Sequence, residues 1–112
     1  LFEQIADINK KDLLIAISFP RYTRRTVEIV EIAIKKGAKT AAITDNILSP
    51  IAQKSNVSLI ARSNLNSFVN SFTAPLSIIN AIVTAVSIRK GKQTFKKLSE
   101  LENMWDMHDV FY

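Results

Sequence analysis

The feature that most constrains this chain is a change of hydrophobic period early in its sequence. Leu13-Leu14-Ile15-Ala16-Ile17 is an unbroken apolar run, whereas from Thr23 to about Lys36 the pattern is helical. Val27, Val30, Ala33 and Ile34 point to one side there, and Arg24, Glu28, Glu31 and Lys35 form a polar stripe on the other. Gly37 stands where a left-handed helix terminator belongs, and Ala38 to Thr44 is a second strand built of small residues. Strand, helix and strand together occupy the ~30 residues of a right-handed crossover between parallel strands. An apolar run without polar alternation suits a parallel strand covered on both faces. The expectation is an α/β fold with a three-layer arrangement, a parallel sheet flanked by helices.

The loop between the first strand and the first helix is Ser18-Phe19-Pro20-Arg21-Tyr22-Thr23. In parallel α/β sheets ligands settle at the carboxyl ends of strands, where a helix N-terminus offers free N–H groups and a positive dipole. Ser18 and Thr23 add hydroxyls and Arg21 a charged fork, a set that suits a phosphorylated ligand. Thr23 acting only as a helix cap accounts for the threonine equally well.

Further along, Thr44-Asp45-Asn46 forms a second polar tip at the same sheet edge. Ser49-Pro50 reads as a cap and first-turn proline opening a short helix through about Gln53, and Val57 to Ala61 is a third strand. Arg62 to Asn66 is a polar loop before a long helix, Phe68 to Arg89, in which Pro75 either lies in the first turn or makes a kink. Beyond Pro75 that helix is apolar nearly all round, which predicts burial on most sides, including against another subunit. Gly91 can end it, and a last helix from Thr94 to His108 carries Phe95, Leu98, Leu101 and Trp105 at helical spacing. At the front, Leu1, Ile5 and Ile8 have the spacing of a helix end, and Glu31 and Lys35 form a favourable i, i+4 pair.

The net charge of +5 is unevenly placed: no Asp or Glu lies between Asn46 and Ser99, where Lys54, Arg62, Arg89, Lys90, Lys92, Lys96 and Lys97 sit. Such a field favours anionic partners, although Arg89 to Lys97 straddles a helix end, where cations remain solvated and suit the dipole. The absence of cysteine excludes disulfides, thiol nucleophiles and thiolate metal sites, and is compatible with a reducing cytosol. The apolar stretch Ala74 to Ile88 is interrupted by Ser77, Asn80, Thr84 and Ser87, too short and too polar to span a bilayer. The expected location is the cytoplasm, with no membrane partner.

The progression Ala16-Ile17-Ser18, Thr23, Gly37-Ala38-Lys39, Ala42-Ile43-Thr44-Asp45, Ser49-Pro50-Ile51-Ala52 and Val57 resembles the SIS (sugar isomerase) domain. Ile17 to Tyr22 together with Ala74-Pro75-Leu76-Ser77-Ile78-Ile79-Asn80-Ala81 is most similar to the C-terminal effector-binding domain of RpiR-type transcription regulators. The resemblance covers about residues 5 to 90. It implies a parallel five-stranded sheet that binds phosphosugars at strand ends through a Ser-x-Ser-Gly-x-Thr loop. Ser18 and Thr23 keep the first and last places of that loop, while Pro20 replaces its second serine and Arg21 its glycine. Arg21 either substitutes a charge-assisted contact for what is lost or fills and redirects the pocket. Ser67 and Ser71 match a region that lends further polar contacts in the family, and helix capping explains them about as well.

The resemblance also implies a strand, a serine loop and a helix ahead of Leu1, so that residues 1–112 form a single, partial SIS-like domain with 91–112 as a C-terminal helical extension. The expected ligand-binding set is Ser18, Arg21, Thr23, Ser67 and Ser71, with no catalytic residue, metal or cofactor. The expected function is phosphosugar sensing and dimerisation in an RpiR-type regulator, with DNA contacted only through a helix-turn-helix domain outside this chain. The alternative is a phosphosugar isomerase whose base lies outside these residues. Within them, His108 sits in the last helix beside Asp106 and Asp109, Glu28 and Glu31 lie on a solvated stripe, and Asp45 reads as a turn residue. Direct nucleic-acid binding by Lys92 to Lys97 is a third reading, which a core-facing Phe95 weakens.

Overall fold

The computed structural model describes residues 3–62 and 71–108. A 3-10 turn at Glu3–Ile5 precedes β1 (Leu13–Ile17), α1 (Arg24–Lys35), β2 (Lys39–Thr44), α2 (Pro50–Lys54), β3 (Val57–Ile60), α3 (Thr73–Lys90) and α4 (Lys92–Met107). The chain divides into two compact units, Leu1–Leu76 and Ser77–Tyr112.

The first unit holds a three-stranded sheet in the order β1-β2-β3. Both pairings are parallel, with Ala16 beside Ala42 and Ala42 beside Ser58. Period-2 alternation puts Leu14 and Ala16 on the same face as Ala42. Val27 and Val30 of α1 and Ile51 of α2 pack against that face to make the core. The small side chains of β2 let the helices approach closely, and Val30, Ala42, Ile43 and Ile51 are fully buried. Burial of each larger apolar side chain contributes about 1.5–3 kcal/mol.

Local chemistry explains where the elements stop. Gly37 takes φ +82°, the left-handed conformation that ends α1, and the N–H of Ala38 closes back on the carbonyl of Ala33. The Ser49 hydroxyl accepts from the N–H of Ala52 at 3.3 Å and Pro50 opens α2, as the sequence predicts. Asn56 fastens the start of β3 to β2, its Oδ1 accepting from the N–H of Thr40 at 2.8 Å.

Several expectations change. β1 is covered on one face only, with Leu13, Ile15 and Ile17 exposed at 59, 39 and 44%. The face that carries Leu14 and Ala16 meets the core helices, and Leu13, Ile15 and Ile17 belong to the opposite face. Glu31 pairs with Lys54 of α2 at 2.8 Å, the outward turn of α1 bringing the neighbouring helix within reach. That ammonium holds the Glu31 carboxyl below its ordinary pKa, with Lys35 a minor contributor. The leading helix reduces to the turn at Glu3–Ile5 among the described residues.

Pro75 lies in the first turn of α3, where its missing N–H costs nothing. The expected start of that helix at Phe68, and the polar loop from 63 to 66, fall outside the described residues. Within this one chain α3 is not buried on most sides: Pro75 is its one buried residue, and Leu76, Val83, Val86 and Ile88 are exposed. Gly91 forms the joint between α3 and α4.

Candidate functional site

The carboxyl ends of β1 and β2 carry polar loops within the first unit, and Arg62 stands just past the end of β3. Ser18 extends the β1 ladder by one bond, its N–H donating to the carbonyl of Ile43 at 3.1 Å, and is buried. Its position is therefore fixed by the sheet rather than by the loop.

From Ser18 the chain turns sharply into α1. Arg21 takes φ +75° and is the one non-glycine residue with positive φ among those described. A side chain in this region meets its own backbone, so the conformation costs Arg21 roughly 1–2 kcal/mol. Arg21 stands where the resembled loop has a glycine, and its backbone takes a conformation that glycine adopts freely.

Thr23 follows at the N-cap of α1, where its carbonyl accepts from the N–H groups of Thr26 and Val27. Its side chain makes no capping hydrogen bond, so the plain-cap reading of the hydroxyl is not what the structure shows. No acid lies in the first turn, and Arg24 and Arg25 open the helix just after Arg21. Cations at a helix N-terminus add to the positive end of its dipole. An anion placed there is stabilised by both.

Two contacts hold this loop in place. The Tyr22 hydroxyl donates to Oδ1 of Asp45 at 2.8 Å, joining it to the tip of β2, and Thr44 donates to the same oxygen at 3.2 Å. Hydrogen bonding to Asp45, then burial and the carboxylate charge, raise the Tyr22 pKa above its ordinary value. Phe19 meets Phe72 edge to face, with ring centroids 6.1 Å apart. That contact brings the segment carrying Ser71 beside the loop.

Ser71 spends its hydroxyl on the helix start, donating to Oγ1 of Thr73 at 3.1 Å and accepting from the Thr73 N–H at 3.4 Å. The capping explanation fits it. Ser67 lies outside the described residues.

Beyond Asp45 an open cleft of about 520 Å³ is lined by Asp45, Asn46, Ile47, Ile60 and Arg62. It offers a carboxylate, an amide, a guanidinium and two apolar walls at the tips of β2 and β3. Small-molecule sites combine apolar lining with a few converging polar groups in this way. Among the sequence features, Arg62 belongs to the basic field and Asp45 to a turn, and it is their position just after the consecutive strands β2 and β3 that marks them. His108 is exposed at the end of α4. No group of three metal-binding side chains occurs among the described residues.

The sequence pattern of the family described as the SIS domain matches residues 1–85. The chain belongs to the SIS domain family. This SIS domain is similar to the crystal structure of an RpiR transcription factor from Sphaerobacter thermophilus, described as its sugar isomerase domain. The TM-score is 0.83 at 25% identity, over 91% of this chain and 57% of the other. A second structure, of a hypothetical protein, superposes with a TM-score of 0.61 at 20% identity, covering 74% of this chain and 50% of that one, and supports the fold alone. The chain thus spans little more than half the length of the structures it matches. The curated proteins contain no match.

Proposed function

We propose that this SIS domain is the effector-binding and dimerising part of an RpiR-type transcription regulator, and that its ligand is a phosphorylated sugar or sugar derivative. The observation that carries the reading is the start of α1: an uncapped Thr23 hydroxyl, Ser18 fixed at the strand end, and Arg21, Arg24 and Arg25 around an N-terminus with no acid in its first turn. A phosphate suits that place, and the adjoining cleft has Asp45 and Asn46 to accept and donate to sugar hydroxyls. Residues 1–112 then belong to one SIS domain, of which 91–112 is a helical extension.

In this reading the protein is not an enzyme and acts in the cytoplasm. No described helix is long and apolar enough to cross a membrane. DNA is contacted by a helix-turn-helix domain on the same polypeptide, and ligand binding changes that contact by favouring one arrangement of two subunits. The likeness to an RpiR transcription factor favours this over a phosphosugar isomerase with a base outside these residues.

The experiment is a thermal-shift titration with a panel of sugar phosphates, the matching unphosphorylated sugars and inorganic phosphate. A binder stabilises the fold by simple linkage. Arg21→Ala and Ser18→Ala are expected to weaken sugar-phosphate binding several-fold without unfolding the domain. Equal affinity in both variants removes the loop from the site, and turnover of a bound sugar phosphate replaces the regulator reading with the isomerase.

A further inference from the structure

Arg62 is a charged side chain at the strand ends to which the phosphate place at the start of α1 gives no task. It is exposed just past β3 and forms no hydrogen bond or ion pair with another described residue. The acids of the first unit are occupied or lie elsewhere. Asp7 and Asp12 line a pocket at the amino end of β1, Glu28 and Glu31 belong to the outer stripe of α1, and Glu31 is held by Lys54. Between Glu31 and Glu100 the sequence holds one acid, Asp45, so the residues that follow Arg62 bring no carboxylate to it.

Asp45 and Arg62 line the same cleft without forming an ion pair. Asp45 is committed elsewhere, its Oδ1 accepting from the hydroxyls of Tyr22 and Thr44. The guanidinium thus stands in the cleft beside two apolar walls, Ile47 and Ile60, with its donors unspent. Its planar fork matches the oxygens of a carboxylate or a phosphate. The start of α1 follows β1 and Arg62 follows β3, with β2 between them. Neighbouring strands are about 4.8 Å apart, so the two cationic positions are separated by roughly 10 Å at the backbone. Long side chains shorten that gap, and a sugar with an acidic group at each end spans it. A ligand with a single phosphate leaves one of the two positions unmet.

We infer that Arg62 selects for a second acidic group: the ligand is a sugar phosphate that carries, at the end remote from its phosphate, a further carboxylate or phosphate, which Arg62 receives in the cleft at the tips of β2 and β3. The inference rests on the proposed phosphosugar reading and narrows its ligand class. Asp45 sets the direction of the arrangement, because its carboxylate repels an anion and accepts from a sugar hydroxyl. The second acid therefore seats on the β3 side of the cleft.

The test is isothermal titration calorimetry of the whole chain with matched pairs, glucose phosphate against phosphogluconate and fructose monophosphate against fructose bisphosphate, and with unphosphorylated gluconate beside them. The first pair scores a carboxylate and the second a phosphate. In at least one pair the compound with two acidic groups is expected to bind about tenfold more tightly than its partner. In Arg62→Gln that ratio is expected to fall to near one, and Arg62→Lys, which keeps the charge and loses the fork, retains part of it. Arg21→Ala is expected to weaken both members of a pair and to leave their ratio in place. Arg62 is exposed, so the free variants are expected to keep the circular dichroism and Tm of the parent, and misfolding does not imitate the result. Equal affinity within both pairs, or a preference that persists in Arg62→Gln, overturns the role of Arg62 and leaves the phosphosugar reading standing. Gluconate binding as tightly as phosphogluconate, or no binding by any of these compounds, overturns the phosphosugar reading and the inference with it.

Discussion

Arg21 offers a test of the loop that separates its backbone from its charge. At φ +75° the residue lies where a Cβ is penalised by roughly 1–2 kcal/mol, and any side chain other than glycine bears that cost. Arg21→Ala removes the guanidinium and keeps the Cβ. Arg21→Gly removes both, and gives back roughly 0.5–1 kcal/mol through the greater freedom of glycine in the unfolded chain. The net expectation is that the glycine variant is more stable than the alanine variant by up to about 1 kcal/mol. For a domain of this size such a difference raises Tm by about 4 °C. Urea denaturation followed by far-UV circular dichroism measures it, as a shift in midpoint at unchanged slope. Both variants lack the guanidinium and are expected to lose sugar-phosphate affinity. An alanine variant as stable as the glycine variant, or more so, refutes the strained geometry and with it the idea that this loop retains a glycine's shape.

Two other outcomes follow from described contacts. Tyr22 holds its proton more tightly folded than unfolded, so its contribution to stability is complete below the ordinary tyrosine pKa of about 10 and is lost as pH rises through the higher folded value. Absorbance titration of the parent chain and of Tyr22→Phe, which leaves Tyr112 as the one remaining phenol, is expected to give a difference curve centred above that of free tyrosine; a curve at or below it removes the Asp45 contact. Ser49→Ala strips the α2 cap and is expected to cost about 1 kcal/mol in urea denaturation, and a loss below a few tenths means that Pro50 alone sets the helix start.

The β-α-β frame was legible because its signals are local. The unbroken apolar run of β1, the 3.6 period of α1, Gly37 after the last helical turn, and Ser49-Pro50 each act within a few residues of where they stand. What the sequence left open depends on distant partners. Leu13 to Ile17 reads the same whether one face is covered or two, and only the neighbours of β1 decide. Glu31 has Lys35 one turn away and pairs instead with Lys54, which another helix supplies. At the candidate site, Ser18, Arg21 and Thr23 stand out by residue type and by their place between strand and helix, and the resembled loop adds only that a glycine is usual where Arg21 stands. The link from Tyr22 to Asp45 joins residues 23 apart in sequence and left no local trace.

That link makes the first two strand-end loops a single mechanical piece. A guest that draws Tyr22 toward itself must also tug Asp45, one wall of the neighbouring cleft, so occupancy on one side is felt on the other without any rearrangement of the sheet. The latch is one phenolic proton, and any hydrogen-bond donor that reaches the same carboxylate oxygen is a direct rival for it.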